Sequence, residues 1–102
     1  MSERTKLYIK EYNSGSELLV AVCDQELVGR RFEDGELHLT VSERFYKGEE
    51  ATEEDVISSL RHATIANLVG RRAIQCALDH KFIDETSIIV LDGVPHAQML
   101  KL

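Results

Sequence analysis

The sequence predicts an α+β domain, with helices packed on one face of a small antiparallel or mixed β-sheet. Three observations lead there. β-forming runs open and close the chain; a capped, proline-free helical stretch lies between them; and neither linker nor repeat interrupts the composition. Strands, then helices, then a strand is the order expected of this class. A chain of 102 residues supports one core and not two, so residues 1–102 are read as a single domain. The 43% hydrophobic and 29% charged content fits a folded chain and argues against disorder.

The elements follow in order. Residues 6–12 (Lys-Leu-Tyr-Ile-Lys-Glu-Tyr) alternate and carry β-formers, predicting a strand. Asn13-Ser14-Gly15-Ser16 is turn chemistry. Leu18 to Cys23 is apolar on both faces, as in a central strand covered on two sides, and completes a hairpin. Asp24 is placed to cap a short helical turn that Gly29 ends, the alternative being a strand broken by a bulge at Gly29. Asp34-Gly35 is a tight turn into a strand at 36–41, with Leu37, Leu39 and Val41 on one face and His38 and Thr40 on the other. Ser42 caps a turn at 43–47 that Gly48 closes, and Glu49-Glu50 form an exposed acidic connection.

Thr52-Glu53-Glu54-Asp55 opens the main helical region with a hydroxyl cap and three carboxylates that complement the helix dipole. One helix from Val56 to His80 would be about 38 Å long, too long for a domain with a radius of gyration of about 13 Å. Two helices are therefore predicted, at 53–61 and 64–80. On the second, Ala63, Ala66, Gly70, Ala73 and Ala77 line the apolar face, where small side chains permit close approach to the sheet. Ser87-Ile88-Ile89-Val90-Leu91 reads as a strand, Asp92 to His96 as a turn, and 97–100 as an edge strand.

With 12 basic against 18 acidic residues, the net charge is −6. The basic footprint of a nucleic-acid binder is absent, and anionic membranes are disfavoured for the same reason. The longest apolar run, Leu18–Cys23, is far short of a membrane span, and the polar start Met1–Lys6 has no apolar leader segment behind it. A cytoplasmic protein is expected, with Cys23 and Cys76 as reduced core thiols.

Sites divide into exclusions and candidates. The six glycines never cluster, so no phosphate-cradling loop or dinucleotide fingerprint is present, and no cofactor is expected. Cys76 and His80 are four apart, but two ligands do not make a metal site and His62 is too distant to join them. The Asp92–His96 segment is the leading candidate: a carboxylate could orient an imidazole as a general base, with Gly93 and Pro95 constraining the turn. Against that, Asp-Gly is ordinary turn chemistry. Asn67 falls inside the apolar arc of the second helix, where its amide needs partners; it serves a structural link or a pocket. Arg30, Arg31, Arg71 and Arg72 form a candidate anion-binding patch if the 24–32 bend approaches the helix, and otherwise solvated charge balancing Glu33, Asp34 and Glu36.

Ala21-Val22-Cys23-Asp24 through Leu27-Val28-Gly29, then Ala63-Thr64-Ile65-Ala66-Asn67-Leu68-Val69-Gly70, then Gly93-Val94-Pro95-His96-Ala97-Gln98, together resemble the small archaeal family known as domain of unknown function 424. The resemblance runs over nearly the whole chain in motif order and spacing. It implies a single-domain cytoplasmic α+β protein of archaeal source, and it transfers no catalytic residue. Asn67, Gly70 and His96 match its motifs.

The functional expectation is a non-enzymatic binding module for a protein or ribonucleoprotein partner, in a core process such as translation. Two other readings stand beside it. One is a small enzyme using Asp92 and His96, with Cys23 or Asp24 nearby; the other is a structural homodimer formed through the wide apolar helix face.

Overall fold

The computed structural model describes residues 6–101. Eight strands and three helices succeed one another as β1 (Leu7–Ser14), β2 (Glu17–Asp24), β3 (Arg31–Asp34), β4 (Leu37–Thr40), α1 (Glu43–Tyr46), β5 (Glu49–Ala51), α2 (Glu53–His62), β6 (Ile65–Val69), α3 (Arg71–Asp79), β7 (Ile89–Leu91) and β8 (Val94–Leu100). Six strands form a mixed sheet in the order β5-β1-β2-β6-β8-β7, and β3 pairs with β4 as a separate hairpin. Among the described residues only the central pair, β2 with β6, is parallel. The radius of gyration is 12.7 Å, close to that of a compact chain of this length.

Strand alternation divides the core into two layers. Val20 and Val22 of β2, Ala66 and Leu68 of β6, and Ala97 and Met99 of β8 face α2 and α3. Ala21, Cys23 and Val69 point the other way, against Leu27, Phe32, Val41, Tyr46 and Leu91 under the β3–β4 hairpin and α1. β2 is thus buried on both faces, which is why its sequence is continuously apolar. The predicted caps are present. Ser42 accepts from the Phe45 amide, and Thr52 and Asp55 form a reciprocal capping box at α2.

The 64–80 segment corrects the sequence expectation: β6, Gly70 and α3 replace one long helix. Ile65 and Val69 are β-branched and suit a pleated surface. The slot between β2 and β8 gives this segment ladder partners on both sides. The small residues serve both layers of one contact, Ala66 from the strand side and Ala73 and Ala77 from the helix side. Gly70 makes the break. Its φ of 110° and ψ of 159° lie in a region essentially restricted to glycine.

The C-terminal expectations also shift. The turn is only Asp92-Gly93, both left-handed with φ of 51° and 80°, and β8 begins at Val94 and lies inside the sheet. Pro95 within an interior strand reads at first as a contradiction, because it lacks an N–H. One step beyond the Val69–His96 pair, however, the Gly70 amide donates to the Pro95 carbonyl at 2.9 Å, and the Gly70 carbonyl is taken by the Ile74 amide at 2.9 Å. The carbonyl that would have needed the missing donor is already used by the first bond of α3. β7, expected from Ser87, starts at Ile89 after a 3-10 turn at Glu85–Ser87. Glu49 and Glu50, expected as a connection, begin the edge strand β5. Leu37, expected on the same face as Leu39 and Val41, is 60% exposed at the hairpin's end.

Candidate functional site

The face of the sheet opposite α2 and α3 is only half covered. Its side chains form rows across the strands: Tyr12, Leu19, Ile65 and Leu100; then Lys10, Ala21, Asn67 and Gln98; then Tyr8, Cys23, Val69, His96 and Ile89. Tyr12 is closed off by α1, stacking on Phe45 at 5.2 Å between ring centroids and donating to the Phe45 carbonyl at 2.8 Å. Cys23 and Val69 are sealed beneath the hairpin. What stays open is a contiguous patch. Leu19, Ile65, Asn67 and His96 are half-buried, and Gln98, Ile89 and Leu100 are exposed.

Asn67 therefore acts from a strand and not from the helix predicted for it. Its Oδ1 accepts from Gln98 Nε2 at 2.9 Å across the β6–β8 pair. Two paired amides at the centre of an otherwise apolar patch retain unused donors and acceptors. His96 lies on the neighbouring row of the same face, paired with Val69 on one side and Ile89 on the other. Burial alone pulls its pKa below the usual 6.5, so the neutral ring is favoured at physiological pH. A hollow of about 430 Å³ borders it, lined by Ser87, Ile89, Gln98 and Leu100.

The structure brings Asn67 and His96 together but not Asp92 and His96. Asp92 sits at the exposed tip of the β7–β8 hairpin, while His96 pairs with Ile89 two positions into the strand. Among the described residues no hydrogen bond joins them, and no carboxylate contributes to the shift of His96. Pro95, on the alternate face of β8, serves the Gly70 junction.

Asp24 has a different role from the local cap predicted for it. Its side chain makes no cap hydrogen bond to the 3-10 turn that follows; it reaches the N-terminus of α3, accepting from the Arg72 amide at 3.0 Å and the Ala73 amide at 2.9 Å. Burial raises its pKa, and those two hydrogen bonds oppose the rise. A carboxylate at a helix N-terminus complements the dipole and meets two otherwise orphaned amides. Gly70 is required beside it, because a Cβ there would stand 2.4 Å from the Asp24 carboxyl carbon. The protein's own carboxylate thus occupies the place an anion would take at this helix end.

The four arginines divide between elements packed on opposite faces of the sheet. Arg31 pairs with Glu33 at 2.8 Å, and the Arg30 guanidinium lies over Phe32 at 5.1 Å. Arg71 and Arg72 are exposed at the start of α3.

The thiols are also on opposite faces, Cys76 beneath α3 and Cys23 beneath the hairpin. Burial pushes Cys23 up to about 12 and Cys76 up to about 11, which suppresses the reactive thiolate. Cys76 donates to the Glu53 carbonyl and His80 Nδ1 contacts the Cys76 carbonyl at 3.1 Å. Among the described residues no group of three His, Cys, Asp or Glu side chains could hold a metal. A cleft of about 780 Å³ runs between β1, β5 and α2 and collects Glu11, Glu49, Glu50 and Asp55, with Ser59 donating to Glu11 at 2.5 Å. Among the described residues no helix is long and apolar enough to cross a membrane.

Sequence reasoning missed Leu19, Ile65, Ile89, Gln98 and Leu100 as members of the patch. The available signal was the alternation of Gln98 with Ala97 and Met99, which marks a two-faced strand.

The protein family described as "Protein of unknown function (DUF424)" has a model that matches residues 12–102. No curated protein matches the chain. Among solved structures, the chain is similar to an uncharacterized conserved protein from Methanopyrus kandleri, with a TM-score of 0.78 and 26% identity over 94% of this chain and 93% of that one.

Proposed function

The chain belongs to this family of proteins of unknown function, and we propose that it is a non-enzymatic binding module whose open sheet face docks a protein partner. The observation that supports this reading is the composition of that face. Leu19, Ile65, Ile89 and Leu100 surround the Asn67–Gln98 amide pair, and the charge on this face lies at its β1 side, where Lys10 donates to the Arg44 carbonyl, on a chain whose net charge is −6. An apolar centre with amide hydrogen bonding and depleted charge is the make-up of a protein interface core. A phosphate backbone would instead require cations. The neutral form of His96 adds no charge to this face at physiological pH.

The partner fits as an uncharged, partly apolar segment, held by side-chain burial and by hydrogen bonds to the two amides. Catalysis has less support: Asp92 and His96 are apart, and both thiols are held protonated by burial. A cytoplasmic location and a place in translation or another core process belong to the same proposal.

The test is capture on immobilised full-length protein from an extract of the source organism, with and without nuclease. The expected result is a protein retained after nuclease treatment, lost with Ile65→Glu and kept with Glu33→Lys on the hairpin. Retention by the folded Ile65→Glu variant, or loss on nuclease treatment, would overturn it.

A further inference from the structure

The two edges of the six-stranded sheet are unlike. β5, at one end, presents Glu49 and Glu50 and is guarded against pairing by charge. β7, at the other, reads Ile89-Val90-Leu91 and follows Thr86, Ser87 and Ile88, a stretch without a single charge. The large exposed apolar side chains of the described residues gather at this end. Ile89 and Val90 are on β7, Leu100 is on its neighbour β8, and Leu37 is on the hairpin that approaches β7.

The ladder fixes which backbone groups of β7 point outward. Leu91 and Val94 close the two-residue Asp92-Gly93 turn, and Ile89 faces His96 two positions further on. In an antiparallel ladder the bonded residues alternate, so Leu91 and Ile89 spend their amides and carbonyls on β8. The N–H and C=O of Val90 point away from the sheet. Ile88, the other outward residue, already donates to the Glu85 carbonyl. The hairpin covers the Leu91 end of β7, while Ile89 and Val90 are 48% and 55% exposed.

We propose that β7 is a self-association edge, through which two copies of this chain pair antiparallel about a two-fold axis at Val90 to form one continuous twelve-stranded sheet. The occupant is a second copy for three reasons. A two-fold on Val90 satisfies both of its outward backbone groups at once, the amide of each copy donating to the carbonyl of the other. The same axis sets Val90 against Val90, with the exposed Ile89 of each copy flanking the pair. Finally, a chain of net charge −6 meets its own copy with least repulsion where it carries no charge, whereas a basic partner would be drawn to Glu49 and Glu50 at the far edge. The proposal shares Ile89 and Leu100 with the docking face above but rests on the backbone groups of Val90 and not on that face's occupant.

Sedimentation of the full chain over a concentration series tests it first. The expected limiting mass is about 23 kDa, against 11.5 kDa for one chain. Val90→Lys is expected to return the mass to that of one chain with the folded far-ultraviolet spectrum retained, and Glu50→Lys on the opposite edge to leave the dimer intact. Spin labels on Val90→Cys then read the geometry without relying on the lysine variant, since Cys23 and Cys76 are buried. In the dimer the labelled backbones approach to about 5.5 Å, while labels on Glu50→Cys stand roughly 50 Å apart across twelve strands. A wild-type chain that stays at 11.5 kDa, a dimer that persists in folded Val90→Lys, or a shorter distance between Glu50 labels than between Val90 labels would each overturn the proposal.

Discussion

Two halves of one sheet face make the most informative comparison in the molecule. Beneath the β3–β4 hairpin and α1, Ala21, Cys23 and Val69 are fully enclosed with Phe32, Val41 and Tyr46. On the same face, Leu19 of β2 and Ile65 of β6, both half-buried, and the exposed Leu100 of neighbouring β8 are as apolar and lie outside that cover. Strand sequence does not distinguish the halves; what the chain lays over them does. The hairpin is two four-residue strands and reaches only part of the face. An uncovered apolar patch of contiguous rows, unlike singly scattered apolar residues, calls for an occupant.

The largest expected effect is on the closed half. Phe32→Ala should cost about 3–5 kcal/mol in denaturant unfolding, because a 3% exposed ring leaves a cavity under the hairpin. Leu100→Ala on the open half should stay within about 0.5 kcal/mol of wild type. Comparable losses at the two positions would break the comparison.

Next comes the junction that ends β6. Gly70→Ala places a Cβ against the Asp24 carboxylate in a backbone conformation that L residues avoid, and should cost about 2–4 kcal/mol by the same measurement. Asp24→Ala, which leaves the Arg72 and Ala73 amides without their acceptor, should cost about 1–2 kcal/mol. The pH dependence has a definite sign. The folded-state pKa of Asp24 is raised above 3.8, so the native state holds this proton more tightly than the unfolded chain. The contribution to stability is greatest below 3.8 and declines as pH rises through the raised value. Asp24→Asn should flatten that part of a stability–pH curve.

The smallest effect belongs to His96, whose folded pKa is lowered from 6.5 by burial. The neutral ring is the one the fold accommodates, so its contribution is present above 6.5 and lost as pH falls through the lowered value. His96→Gln should remove that decline while leaving stability at neutral pH nearly unchanged.

The same two halves show how far the sequence could be read. β1 with β2, the strand at 36–41, the Ser42 and Thr52 caps and α2 were legible because period, turn chemistry and capping residues agreed locally. β6 was not. Ala63, Ala66, Gly70, Ala73 and Ala77 fit a helical face as well as they fit a strand and helix packed on each other, and the parallel partner β2 lies over 40 residues earlier. Asn67 stands out by its polarity in an apolar run, and it is the spacing of the small residues around it that makes the run read as helix. Its partner Gln98, 31 positions away, is visible only once β6 and β8 pair. The trans cap from Asp24 to α3 spans 48 positions, so no local window holds both ends. Asp92-Gly93 makes Pro95 and His96 read as part of a turn, yet the turn needs only Asp92 and Gly93 themselves.

Photo-crosslinking tests the docking face most directly. A photoreactive side chain is placed at Gln98 on the open half, or at Glu33 on the exposed side of the hairpin, and irradiated in an extract of the source organism. A discrete protein adduct is expected from position 98, unaffected by nuclease and abolished by Ile65→Glu, and none from position 33. Adducts from position 33 alone, or adducts to nucleic acid at position 98, would contradict it.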